Sequence, residues 1–249
     1  MFARKKFNNH YEAVMEPFKI IGNVYFVGNY LASSHLIDTK DGLILIDTGY
    51  EDTLFLLINS IYQLGFSPYD IKLIIHTHWH GDHTGATLGL ASLTGAKTYI
   101  GKKDEKNVKR YFEPDVLLND GDKISLGNTT IDIIETPGHT EGTISLFFKT
   151  KENNIEYKVG MFGGAGANTL TKERAEYENC RQDYKNSLDI LREKEVDVFI
   201  GNHVWNNDTY NKSEILRKTG ENLFIDNKLW NKFLDFCEER LNQVIANDK

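Results

Sequence analysis

From Ile74 to Ala86 the chain reads Ile-Ile-His-Thr-His-Trp-His-Gly-Asp-His-Thr-Gly-Ala, so His76, His78, His80, Asp82 and His83 fall within eight residues. Imidazole nitrogen and carboxylate oxygen are donors that zinc accepts alongside thiolate. In an extended or loop backbone alternate side chains share a face, which points His78 and His80 the same way and brings in Asp82 and His83 at the next turn. The helical zinc signature H-E-x-x-H spaces its histidines four apart, so this is a different arrangement. A lone histidine in a strand-to-helix loop is ordinarily structural, but a cluster this dense points to metal ligation.

Three further pieces stand in order around the cluster: Leu45-Ile46-Asp47-Thr48-Gly49 before it, then Thr136-Pro137-Gly138-His139-Thr140 and Gly201-Asn202-His203 after it. Together with His78-Trp79-His80-Gly81-Asp82-His83 they resemble the metallo-β-lactamase superfamily, over a span from about Phe18 to about Asp208. The resemblance implies an αββα sandwich, two mixed sheets packed face to face with helices outside. It also implies that Asp47 supports the histidine loop by hydrogen bonding, since metal-bound imidazoles are oriented by such partners.

His139 completes a three-histidine site with His78 and His80, leaving a fourth tetrahedral position open, as a catalytic zinc requires. After the strand expected at Tyr157 to Phe162, most members of the superfamily carry a bridging Asp or a Cys. This chain instead reads Gly163-Gly164-Ala165-Gly166-Ala167-Asn168. In that respect it is similar to the zinc β-lactamase subclass whose second metal is held by Asp, His and His. Asp183-Tyr184, Ser187, Asp197-Val198 and the spacing to His203 match the same subclass. The resemblance therefore implies two zinc ions per chain, the second on Asp82, His83 and His203. His76 and His35 are read as supporting or structural, and His10 as surface.

Two zinc ions sharing a water lower its pKa toward neutrality, which supplies a hydroxide nucleophile at pH 7. The implied activity is hydrolysis of a cyclic amide, a β-lactam, with Asp82 also orienting the nucleophile. The competing readings are a lactone or thioester hydrolase of the same fold and a metal-binding member without turnover, because ligands alone do not select a substrate. Tyr30, Trp79, Phe162, Trp205 and Asn168 lie beside expected ligands or on flanking loops, so they are the expected lining of a substrate mouth. Glycines 163 to 166 read as a flexible turn or as room for substrate against the backbone. The predicted site loops offer no obvious Lys or Arg clamp for a substrate carboxylate.

These residues need strand ends and loops to hold them. Phe18 to Ile21, Val24 to Val27 and Leu43 to Ile46 read as strands of an antiparallel meander. Glu51 to Leu64 reads as a helix with an apolar stripe, and Ile71 to Ile75 as the strand feeding the cluster. A small-residue helix over Thr84 to Leu93, a strand over 96 to 100 and a charged helix near 103 to 112 follow. Val116 to Leu126, turning at Asp120-Gly121-Asp122, begins a second antiparallel set continued by Thr129 to Ile134, Thr143 to Phe148 and Tyr157 to Phe162. Residues 222 to 249 read as a C-terminal helix and residues 1 to 17 as an N-terminal extension of one domain spanning 1 to 249. By periodicity alone the class is α/β or α+β.

Acidic residues outnumber basic ones, 36 to 29, for a net charge of −7, which argues against an electrostatic grip on nucleic acid. Cys180 and Cys237 are too few and too far apart for a disulfide framework. The basic start has no apolar run behind it and no stretch is long enough to span a bilayer, so the expectation is a cytoplasmic protein acting on a small molecule without membrane contact. The oligomeric state is left open.

Overall fold

The computed structural model describes Lys6 to Asp248; the basic start at Met1 to Lys5, part of the expected N-terminal extension, lies outside the described residues. Strands β1 (Phe18–Ile21), β2 (Val24–Phe26), β3 (His35–Asp38) and β4 (Leu43–Ile46) form the expected meander, with β3 added to the runs read from the sequence. Helix α1 (Leu54–Gln63) then crosses over to β5 (Ile71–Ile75), which lies parallel to β4. Short helices α2 (Gly81–Thr84) and α3 (Thr87–Thr94) lead to β6 (Lys97–Gly101). The expected charged helix is reduced to a 3-10 turn at Lys102–Asp104 and one turn of α4 (Glu105–Val108), because the side chain of Asp104 is drawn fully inward.

One expectation fails at β7 (Val116–Leu118). It does not open the second antiparallel set but pairs parallel with β6, Tyr99 opposite Val116, and completes a seven-stranded sheet. The turn that follows, with Gly121 at φ 82°, carries the chain across to the other sheet. That sheet has five strands in the order β12 (Val198–Phe199), β11 (Ile155–Met161), β10 (Ile144–Glu152), β9 (Thr129–Glu135), β8 (Lys123–Leu126), antiparallel except for β11 with β12. A turn of alternating Asp and Gly serves a hairpin or a sheet-to-sheet crossover equally well, and only tertiary pairing distinguishes them.

Alternation explains the layers. On β4, Ile44 and Ile46 face the second sheet, where they meet Ile131, Ile133, Ile144 and Leu146, while Leu43 and Leu45 face Leu57, Ile61 and Leu90 of the outer helices. Such a strand is buried on both faces and reads as an unbroken apolar run. On the far side, α5 (Cys180–Arg192) and α7 (Leu229–Asn247) cover the second sheet with Tyr184, Leu188, Leu191, Trp230, Phe233 and Leu234. Helix α6 (Thr209–Thr219) lies between them in sequence. The C-terminal helix starts seven residues later than expected. Asn222 to Lys228 instead form a turn in which Ile225 bridges to Val198 and Phe224 enters the core between the sheets. The result is two mixed sheets flanked by helices, the αββα sandwich expected from the sequence.

Candidate metal centre

The ligand-type side chains gather where strands end. Asp47 follows β4, His76 to His80 follow β5, His139 lies in the connection from β9 to β10, and His203 follows β12. Thr48 N donates to His83 O at 2.8 Å and Ile144 N to Thr77 O at 2.9 Å, so the loops are laced together by backbone bonds. His80 stands just before α2, which places Asp82 and His83 in that helix's first turn. Gly138, at φ 141°, has no room for a side chain: a Cβ there would come within 2.5 Å of Tyr184 Cβ.

Two triads result, His78 with His80 and His139, and Asp82 with His83 and His203, each with its donor atoms within 4.8 Å of one another. His80 Nδ1 lies 3.0 Å from His139 Nε2, and Asp82 Oδ2 lies 3.5 Å from His83 Nε2 and 3.7 Å from His203 Nε2. The ring nitrogen pointing away from the cluster is occupied in every case. His83 Nδ1 donates to Asp47 Oδ2 at 2.8 Å, His139 Nδ1 to Gly166 O at 2.7 Å and His203 Nδ1 to Leu31 O at 2.7 Å. His80 Nε2 donates to Glu176 Oε1 at 2.8 Å. His78 Nδ1 meets Thr77 Oγ1 at 3.1 Å, and since that hydroxyl already donates to Asp47 Oδ2, it accepts from the imidazole. Each outer acceptor fixes the tautomer and leaves a bare nitrogen lone pair facing the cluster.

Those inner atoms lack protein partners where burial makes that costly. His78 Nε2 and His83 Nε2 are buried and hydrogen-bonded to nothing, which ordinarily costs about 1–3 kcal/mol each. A divalent cation accepts such lone pairs, so the donor set fits a metal. The electrostatics agree. Burial, reinforced by the neighbouring imidazoles, holds His78 well below the usual histidine range and His139 down at about 3, so both are neutral at pH 7, the form in which an imidazole can bind a metal. Burial opposes a charge on Asp82, but His83, His203 and His80 hold its carboxyl at about 2. Burial also opposes a charge on His83, yet Asp82 and Asp47 raise it, and a cation in the triad would take over the role of that proton.

Residues 27–152 match the family model described as the metallo-beta-lactamase superfamily. The chain belongs to that superfamily. It is 33% identical over 151 residues to a protein named "Probable metallo-hydrolase" in Methanocaldococcus jannaschii, covering 53% of this chain and 72% of that one. It is 34% identical over 112 residues to a hydroxyacylglutathione hydrolase of Chelativorans sp., of whose length it spans only 40%. Among solved structures it is similar to BJP-1, a subclass B3 metallo-β-lactamase of Bradyrhizobium japonicum, at TM-score 0.90 and 26% identity over 96% of this chain and 97% of that one. GOB-18, the metallo-β-lactamase of Elizabethkingia meningoseptica, superposes at TM-score 0.84 and 31% identity over 98% of this chain and 97% of that one. Membership of this family of metallo-hydrolases supports a hydrolase. Among the described residues, no helix is long and apolar enough to cross a membrane.

In this member of the superfamily both triads open into a cleft of about 1670 Å³, lined by Trp79, Asn168 and Trp205 as expected and also by Tyr50, Arg110, Arg174, Glu176 and Arg240. Trp205 stacks on the His203 ring at 4.3 Å and 10°. Two expected lining residues are elsewhere. Tyr30 turns its ring onto Phe7 and Tyr210, leaving its neighbour Leu31 at the cleft, and Phe162 is fully buried beside Tyr184. Strand alternation explains Phe162: it continues β11, so its side chain goes under the sheet. His10, read as surface, stacks on Tyr50 at 3.8 Å and bonds Asp52 at 2.9 Å on the cleft wall.

The glycines after β11 make room for protein as well as for ligand. A Cβ on Gly163 would lie 1.9 Å from Ile144 O, and one on Gly164 would lie 2.8 Å from His139 Cβ. His76 and His35 are buried braces. His76 Nε2 is 3.1 Å from Thr87 Oγ1, and His35 Nε2 donates to Gly201 O at 3.0 Å, bracing the His203 loop. Sequence reasoning missed Asp104, whose fully buried carboxylate accepts from Trp79 N at 3.0 Å, Thr140 Oγ1 at 2.8 Å and Gly142 N at 2.9 Å. It thereby ties the loop of His78 and His80 to the loop of His139. In the sequence it stands between Lys103 and Glu105 in a run of charged residues, with nothing local to mark it as the buried one.

Proposed function

We propose that this chain is a zinc-dependent hydrolase that opens the strained amide of a β-lactam, with His78, His80 and His139 holding one zinc and Asp82, His83 and His203 a second. The observation that carries the reading is the second triad itself, which gathers Asp82, His83 and His203 without any carboxylate among Phe162 to Asn168, the residues that directly follow β11. It is supported by the likeness to subclass B3 metallo-β-lactamases along nearly the whole chain. When bound, the zinc pair supplies Lewis acidity, lowering the pKa of water and stabilising negative charge that develops on the substrate.

The chain's own residues do the rest. Asp82, ionised at neutral pH, offers one carboxylate oxygen to the second triad and the other as acceptor for the attacking water's proton, which aligns the lone pair used in attack. The indoles of Trp79 and Trp205 give the mouth apolar walls suited to a bicyclic ring system. Arg110, Arg174 and Arg240 stand on the same cleft, so a substrate carboxylate has cationic partners that the motif loops did not offer. The Asn168 amide, exposed beside His139, is the polar group available to the substrate carbonyl or ring substituents.

A second reading, a thioester hydrolase, draws on the hydroxyacylglutathione hydrolases among the sequence relatives. A panel of a chromogenic cephalosporin, homoserine lactones and acyl thioesters, assayed with zinc-loaded protein, separates the two. The first reading requires cephalosporin turnover abolished by chelator and by Asp82→Ala. Efficient thioester or lactone cleavage with intact cephalosporin would replace it with the second.

A further inference from the structure

Glu176 belongs to none of the motifs, yet its carboxylate spans two adjacent residues of the histidine loop, 96 and 97 positions away. Oε1 accepts from His80 Nε2 at 2.8 Å, and Oε2 accepts from the Trp79 indole Nε1 at 2.9 Å. The contact sits on the cleft wall within reach of solvent, with the His80 and Glu176 side chains 19% and 24% exposed. Trp79 is held on two further sides, by the Arg110 guanidinium 4.4 Å above its ring and by Asp104 at its backbone N–H.

Glu176 lies in the long connection from β11 to α5, and the same connection supplies Gly166 O to His139 Nδ1. Two of the three imidazoles of the first triad are therefore gripped from outside by one segment, His80 through a carboxylate and His139 through a carbonyl. The second triad takes its outer acceptors from Asp47 and Leu31, in other parts of the chain. A carboxylate on the outer nitrogen raises the donor strength of the inner one and fixes the ring's rotation. Linkage then requires the converse: a metal on the first triad must strengthen docking of the 163–179 segment.

We propose that Glu176 is a positioning residue for the first triad, which tunes metal affinity there through His80 and couples metal occupancy to docking of the segment that walls the cleft. The inference rests on the reading that the triads hold metal, and not on which substrate is cleaved.

The test is zinc titration against a competing chromogenic chelator for the wild type, Glu176→Gln and Glu176→Ala, each also in a His203→Ala background in which only the first triad is complete. Glu176→Ala should weaken the single remaining step of that background by about 10–100-fold. Gln, which keeps an acceptor but no charge, should fall between Ala and the wild type. In the His203-intact proteins, only one of the two steps should move. The cobalt-substituted visible spectrum should shift with Glu176→Ala, and Trp79 emission should change when its indole partner is lost. Two metal steps at wild-type affinity in Glu176→Ala, with an unchanged cobalt spectrum, would overturn the inference alone. A wild-type chain that takes up no metal would overturn the metal reading and this inference with it.

Discussion

Replacing Asp104 with asparagine keeps the shape of a buried brace and removes its charge. The carboxyl is pushed up to about 6 from 3.8 by burial, with the hydrogen bonds from Thr140, Gly142 and Trp79 offsetting only part of that effect and Glu176 adding to it. For an acid whose pKa is higher in the folded state, the associated stability is fully present below the unfolded pKa and is lost as pH rises through the folded one. The difference between 6 and 3.8 corresponds to about 3 kcal/mol in the full limit, of which about 2 kcal/mol is recovered between pH 7 and 4.5. Asparagine shows no such gain. Its amide oxygen can replace the acceptor that serves Trp79 and Thr140, but its NH2 would face the Gly142 N–H, at a cost of about 1–3 kcal/mol. Near pH 7 this cost offsets the relief of removing a buried charge, so the two proteins should be of similar stability. Toward pH 4.5 the wild type should pull ahead by about 2 kcal/mol. Urea unfolding of both proteins in chelator, from pH 4.5 to 7.5, measures the difference, in which pH effects common to the two cancel. A difference that does not change with pH would refute the assignment of a strained, ionised brace at Asp104.

Two further outcomes follow from buried groups and close approaches. Burial lowers His35 and His76 to about 4, the opposite sign to Asp104, so their contribution is present above pH 6.5 and is lost as pH falls toward 4. His35→Gln should flatten the acid limb of stability against pH by up to about 3 kcal/mol, as measured by denaturant unfolding at a series of pH values; an unchanged limb would show that His35 does not carry it. Gly163→Ala would drive a Cβ to 1.9 Å from Ile144 O, a backbone atom that cannot swing aside. The melting midpoint should fall by several degrees, in line with about 1–3 kcal/mol of overpacking, and a wild-type midpoint would mean that the β11 turn has slack.

The candidate donor atoms were legible in the sequence for a physical reason: metal chemistry restricts them to a few residue types, and four of the six crowd into one turn-forming stretch. Their outer partners were not. Leu31 and Gly166 act through backbone carbonyls that any residue supplies, and Glu176 acts from a loop whose return to the site depends on the whole second sheet. Asp47 was the exception, and it was read through the resemblance to the superfamily, since a carboxylate at a strand end could equally have started the next helix. At the level of the fold, the unbroken apolar run of β4 marked a strand buried on both faces, and β5 departs from that pattern only at the exposed Lys72. Sheet membership of β7 was hidden, since Val116 to Leu118 carries no mark of pairing with Tyr99 to Gly101. Tyr30 and Phe162 show the same limit, because proximity in sequence to a ligand does not decide which way a ring turns.

The central claim is that two triads, oriented from behind by fixed acceptors, hold two metals side by side. Anomalous diffraction at the zinc edge, on crystals grown with zinc, tests it most directly. The claim requires two peaks: one contacting His78 Nε2, His80 Nδ1 and His139 Nε2, the other contacting Asp82, His83 Nε2 and His203 Nε2. A single peak, or zinc bound through the outer ring nitrogens, would contradict it.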